Sequence, residues 1–175
     1  MVRAGAAAVG IALIGVMVAG CGGSSPSAAP TTTSVVPAVV SPSANTVGLC
    51  GGVTDAEVAQ DTGLTGLHRI AVNPMSCAWQ PAAGGDYAVV FQWFRGSPLQ
   101  ARRTEITTGT PATVQVAGDA GIEWHTDNSC EVAVAFGDTD FVDWSLTAAA
   151  DSARPQPCKA LEQLATSTLT KAGQG

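Results

Sequence analysis

Polar and apolar positions sort the chain into three regimes. Ala4 to Val18 is an uncharged run rich in Ala, Val, Ile and Gly. Gly22 to about Thr46 is low-complexity Ser, Thr, Pro, Ala and Val with no period. From Val47 onward, apolar positions recur with the periods of helices and strands. Thr54-Asp55-Ala56-Glu57 has capping-box spacing with acids in the first turn, and Gly63 is a natural stop, so a short helix is predicted over 55–62. Gly66 to Met75 reads as irregular, with Asn73-Pro74 as a turn. Cys77 to Gln80 predicts a strand, and Pro81 to Gly85 a hairpin loop.

Asp86 to Phe94 is the strongest strand. Tyr87, Val89, Phe91 and Trp93 share one face; Ala88, Val90, Gln92 and Phe94 share the other. Both faces are largely apolar, which predicts a central strand with material packed on each side. Ser97-Pro98 predicts a helix through Glu105, with Ser97 as N-cap and Pro98 at the first helical position. Ala112 to Val116 is a strand that Gly118 and Gly121 interrupt, resuming over Ile122 to His125. Cys130 to Phe136 places Cys130, Val132, Val134 and Phe136 on one face. After a turn at 137–140, Phe141 to Ala148 opposes Val142, Trp144 and Leu146 to Asp143, Ser145 and Thr147, the pattern of a half-buried antiparallel strand. The last helix, Cys158 to Lys171, carries an apolar stripe of Leu161, Leu164, Ala165, Thr168 and Leu169. Hairpin-length connections make this an α+β domain: a mainly antiparallel sheet with about three helices packed on one face of it.

The first apolar run changes the picture of location. Arg3 precedes it and small residues, Val18-Ala19-Gly20, close it before Cys21, the form of a secretory signal peptide. The cysteine in that place resembles the lipobox of bacterial lipoproteins. The resemblance implies cleavage before Cys21, acylation of its thiol, and a lipid anchor on the extracytoplasmic face of the cell membrane. A transmembrane reading is weaker, since Ala4 to Gly20 is Gly- and Ala-rich, short for a span, and followed by no basic cluster. Residues 1–20 are thus expected to be a signal peptide, 21–46 a disordered tether from lipidated Cys21, and 47–175 the folded domain. The formal charge of -6 becomes -7 when Arg3 leaves. An acidic chain without a Lys/Arg cluster excludes nucleic acid as a partner and electrostatic docking on anionic lipid.

Apart from Cys21, four cysteines remain: Cys50, Cys77, Cys130 and Cys158. In an exported protein an even set reads as two disulfides. Three pairings are possible; Cys50–Cys77 with Cys130–Cys158 is favoured because each closes a short loop. No close cysteine pair points to zinc, and no C-x-x-C to redox chemistry, so neither metal nor cofactor is expected.

Several landmarks recur together: Cys50-Gly51-Gly52-Val53, Cys77 with Trp79, Trp93-x-Arg95-Gly96-Ser97-Pro98, Cys130-Glu131-Val132, Trp144-Ser145 and Pro157-Cys158. In this order they resemble the LprB-type lipoproteins of mycobacteria, an actinobacterial family whose domain has no established function. The resemblance implies an exported, lipidated cell-envelope protein with two disulfides, and it brings no catalytic residues.

Candidate chemistry is sparse. Arg95, Gly96, Ser97 and Arg102, with Arg103, mark a helix start that could hold a phosphate or carboxylate. His125 lies near Asp119, Glu123 and Asp127, but no G-x-S-x-G elbow supports a hydrolase, and the spacing is not diagnostic of a metal. His68 falls in the irregular stretch. Trp79, Tyr87, Phe91, Trp93, Trp124, Phe136, Phe141 and Trp144 could line a lipid pocket, though a domain of this size needs such residues for its core. The expectation is a non-catalytic binding or accessory module that contacts another envelope component; the alternative is a carrier of a small amphiphile or anionic ligand.

Overall fold

The computed structural model describes residues 46–82, 85–107, 109–149 and 157–173. The expected signal peptide, Cys21 and nearly all of the tether lie outside the described residues. The domain opens with a 3-10 turn at Leu49–Gly52, followed by α1 (Asp55–Thr62) and three strands, β1 (Leu67–Asn73), β2 (Ser76–Pro81) and β3 (Tyr87–Phe94). After α2 (Leu99–Glu105) come β4 (Ala112–Val116), β5 (Asp119–Thr126), β6 (Ser129–Phe136) and β7 (Asp140–Ala148), and α3 (Pro157–Ala172) ends the fold. The strands form one antiparallel sheet in the order β1-β2-β3-β7-β6-β5-β4. Two meanders are therefore zipped together where β3 pairs β7, from Tyr87 opposite Ala148 to Phe94 opposite Phe141. This is the α+β architecture expected.

The main core lies between the sheet and α3. Leu161, Leu164, Ala165 and Thr168 of the predicted stripe are fully buried. Trp144 is at its centre: its ring lies 5.6 Å from that of Trp79 and 5.1 Å from that of Phe91. Its indole N–H donates to Thr168 Oγ1 at 3.1 Å, which satisfies the polar edge of an otherwise apolar residue. Each such side chain contributes roughly 1.5–3 kcal/mol by leaving water. Both favoured disulfides are present, with Cα–Cα distances of 5.2 Å for Cys50–Cys77 and 5.4 Å for Cys130–Cys158. The first ties the 3-10 turn to β2; the second ties β6 to the first turn of α3. Each closed loop is worth about 3 kcal/mol against the unfolded chain.

Five local expectations are corrected. The stretch 66–75 is not irregular, because Leu67–Asn73 forms β1 at the sheet edge. It pairs on one side only and leaves residues 70–73 exposed, so it carries no apolar alternation. Gly121 does not interrupt a strand: β5 begins at Asp119, and the Ala117-Gly118 hairpin turn alone breaks the run. Ser97 does not cap α2; Pro98 is the extended residue before it, and no side chain caps the start. The helices do not share one face, since Leu99 and Ile106 pack with Phe94 on Ile122, Trp124, Ala133 and Phe141, on the side away from α3. For the same reason β7 is not half-buried: Phe141 and Asp143 are covered as fully as Val142 and Trp144.

The first helix is as expected, with both halves of the Thr54–Glu57 capping box formed and Gly63 left-handed at its end. Lys171 Nζ also donates to Glu57, at 2.7 and 2.8 Å, and to the Gly52 carbonyl at 3.1 Å, so one carboxylate joins α1 to the end of α3. The Lys171 contact, then the Thr54 hydrogen bonds, lower the Glu57 pKa to about 2. A depressed carboxyl stabilises the fold above its unfolded pKa and loses that contribution as pH falls towards 2. Both side chains are over a third exposed, so the contribution is modest. Glu57→Gln should destabilise the domain by about 1 kcal/mol at pH 7. Urea denaturation should show the gap to wild type closing as pH approaches 2.

Candidate functional site

α2 lies over the sheet face opposite α3, while Arg95 at the end of β3 lies on the other side. The Arg95 guanidinium stands 5.0 Å above the Trp93 ring, and the Gly96 N–H donates to Asp140 Oδ1 at 2.9 Å. Arg102 turns inward. Its Nε donates to Glu131 Oε1 at 3.0 Å, its Nη2 donates to the same oxygen, and Nη1 donates to Glu105 at 3.3 Å. Asp143 Oδ2 lies 3.9 Å away, and the guanidinium stands 5.1 Å from the Trp124 ring centre. Arg103 donates to the Pro111 carbonyl and to Thr113 Oγ1. The four residues expected to surround an anion are thus divided. Arg102 faces carboxylates, the Gly96 N–H is taken, Ser97 caps nothing, and Arg95 is exposed over Trp93.

The reason is a pair of acids on neighbouring strands. Asp143 pairs with Ala133, and Glu131 pairs with Ser145, so the two carboxyls meet diagonally beneath α2. Asp143 is 3 % exposed. Burial, and then the hydrogen bond and charge of Glu131, push its pKa well above the carboxylate range. Burial thus favours the neutral form of Asp143, while Arg102 pairs with Glu131. Asp143 Oδ1 has no hydrogen-bond partner, and neither has the indole N–H of Trp93. The cluster fixes α2 to the sheet but offers no open position to a ligand.

A different surface gathers apolar exposure. Ile70 and Val72 on β1, and Leu49 on the adjoining 3-10 turn, are 50 %, 51 % and 54 % exposed. Arg69, the one Lys or Arg of β1, is turned to Asp55, whose Oδ1 also accepts from Trp79 Nε1 at 2.7 Å. That contact, Arg69 first, lowers the Asp55 pKa. The outer edge of the strand is left without a cation or proline to blunt it. Ile70 sits at a bulge between Arg69 and Ala71.

The other expected positions are dispersed. His68 is exposed on β1. His125 and Glu123 share a face of β5, where a His125 ring nitrogen, a Glu123 oxygen and Cys158 Sγ lie within 4.8 Å of one another. Asp119 and Asp127 are exposed at the ends of hairpins. Of the aromatic set, Trp79, Phe91, Phe141 and Trp144 are at most 1 % exposed and packed into the core, not around a cavity. A groove of about 360 Å³ lies between the end of α1 and the start of α3, but it is open and lined by Gln60, Asp61, Lys159 and Gln163. Sequence reasoning missed Ile70, Val72 and the Glu131–Asp143 pair. Only the last had a signal, an isolated acid inside each of two apolar strands.

The family described as "Protein of unknown function (DUF3558)" matches residues 16–171. Proteins named "Putative lipoprotein LprB" from Mycobacterium bovis and Mycobacterium tuberculosis are each 33% identical to the chain over 125 residues. The one from Mycobacterium leprae is 32% identical over 126. The aligned region is 66% of this chain, and the chain spans about two-thirds of the length of these relatives, 66% for the first two and 65% for the third. No solved structure matches.

Proposed function

We propose, for a chain that belongs to the DUF3558 family of unknown function, a role as a membrane-tethered, non-catalytic binding module of the cell envelope that docks another envelope protein along β1. In this reading Cys21 carries the lipid on the extracytoplasmic face, and the 25-residue tether lets the domain range roughly 25–30 Å from the membrane. The name of the relatives supports the anchor. Among the described residues no helix is long and apolar enough to cross a membrane. The observation that carries the docking surface is the concentration of Leu49, Ile70 and Val72 on an edge strand with free ladder groups. An extended segment of a partner can add there as an eighth strand, with its apolar side chains against Ile70 and Val72. The rings that an amphiphile carrier would need are packed into the core instead.

The test is site-specific photo-cross-linking in intact cells. A cross-linker at Val72 should capture one envelope protein, and a cross-linker at Gln115 on the opposite edge should not. Ile70→Lys should abolish capture from Val72 while changing stability by less than about 0.5 kcal/mol, as an exposed substitution does. Equal capture from both edges, or capture that survives the lysine, would sink the β1 assignment.

A further inference from the structure

We propose that Trp124, Glu131 and Asp143 form a binding site for a small organic cation with N–H donors on an apolar stem, a site that α2 keeps closed by supplying Arg102 as its own occupant. The walls of the site belong to the sheet. Trp124 and Glu131 are cross-strand partners on β5 and β6, and Asp143 lies diagonally from Glu131 on β7. All three face α2, beside Ile122, Ala133 and Phe141. The occupant rides on a much slighter element. α2 is seven residues long, has no side-chain cap at its start and buries none of its residues fully. An element with so few buried contacts opens at a lower free energy than the sheet beneath it.

Arg102 is held as a ligand would be. Its guanidinium stands 5.1 Å from the centre of the Trp124 ring, gives two N–H donors to Glu131 and lies 3.9 Å from Asp143 Oδ2. The site also has acceptor capacity that Arg102 leaves unused. Asp143 Oδ1, on a residue 3 % exposed, has no hydrogen-bond partner. A buried acceptor without a donor costs free energy, and an entering cation with a further N–H would satisfy it. Each part of the ligand therefore has a counterpart. Glu131 supplies the charge and Trp124 the face of a ring. Ile122 and Phe141, uncovered when α2 lifts, supply apolar surface for a stem. The site is independent of the β1 edge and stands or falls without it.

The test removes the occupant and offers a substitute. Arg102→Ala empties the site in the full oxidised chain in detergent, and methylguanidinium is the probe. It should raise the thermal midpoint of that variant saturably, by about 4–8 °C at a tenfold excess over its Kd. Tetramethylammonium, which carries the same charge but no N–H, should not. The rise should disappear in Arg102→Ala/Glu131→Gln, and wild type, whose site is filled, should gain clearly less. If Arg102→Ala does not fold, Arg102→Met, which keeps an apolar stem, takes its place. Hydrogen exchange reads displacement in wild type: methylguanidinium should speed exchange in α2 and leave β6 unchanged, because it captures the open form. If neither Arg102 variant gains more from methylguanidinium than from tetramethylammonium, the proposal is overturned and Arg102 is a structural ion pair only. Stabilisation that survives Glu131→Gln, or exchange that rises equally in α2 and β6, would overturn it too.

Discussion

Gly51→Ala should destabilise the domain by about 2–5 kcal/mol, a large share of the stability of a typical domain. Gly51 is buried in the middle of a run of three left-handed residues, Cys50 at φ 58°, Gly51 at 73° and Gly52 at 70°. A side chain there meets two penalties. The left-handed backbone costs an L-residue roughly 1–2 kcal/mol. A Cβ would also lie 2.7 Å from Thr168 Oγ1, 3.1 Å from the Trp144 ring and 3.2 Å from the Phe91 ring, which overpacks the core by about 1–3 kcal/mol more. Thr168 cannot simply retreat, because its hydroxyl accepts the Trp144 indole N–H. Gly63→Ala separates the two penalties. Gly63 is also left-handed, at φ 67°, but a Cβ there meets nothing within 4 Å. Urea denaturation of both variants should give a loss of about 1–2 kcal/mol for Gly63→Ala and clearly more for Gly51→Ala. Equal losses would mean that the turn, not its approach to Trp144 and Thr168, fixes the glycine.

That turn shows what a one-dimensional pattern can and cannot reveal. Cys50-Gly51-Gly52 was visible as a landmark, but its reason was not, because Thr168 and Trp144 arrive from more than ninety residues away. Elements whose stability is local were legible. The Thr54–Glu57 box, the alternation through Tyr87–Trp93 and the α3 stripe depend on neighbours within a few positions. The disulfide pairing was legible because short loops close at the lowest entropy. Elements defined by their neighbours were not. Residues 67–73 become a strand because β2 supplies a ladder on one side, and an edge strand has no need to alternate. Phe141 and Asp143 are buried because α2 crosses the sheet, and nothing in Phe141–Ala148 announces that cover. The candidate anion site failed for the same reason: Arg102 was readable as a free cation only while Glu131 and Asp143, on strands that pair far along the chain, were out of view.

Arg102→Ala should therefore act on stability, lowering it by about 3 kcal/mol at pH 7, the lower end of what removing one partner from a buried ionic network costs. The lower end applies because Arg102 is 26% and Glu131 18% exposed along the side chain, so water can reach both. Without the guanidinium, Glu131 and Asp143 are left facing each other with no cation to compensate them. The sign of the pH dependence follows from Asp143, whose pKa is raised by burial and then by Glu131. Below the unfolded carboxyl pKa, Asp143 is protonated in both states and costs nothing. As pH rises, the unfolded chain releases the proton and the folded one keeps it, so stability falls by about 1.4 kcal/mol per pH unit until the folded pKa is passed. Asp143→Asn removes that dependence, because an amide can donate to Glu131 without binding a proton. It should match wild type near pH 4 and be the more stable of the two at pH 7. In the double variant the loss caused by Arg102→Ala should shrink, since one carboxyl rather than two is then uncompensated. Urea denaturation of the four proteins from pH 4 to pH 8 completes the cycle. An Asp143→Asn variant that loses the same stability at both ends of that range would show that Asp143 is ionised in the fold, and that Arg102 pairs with it as an ordinary salt bridge.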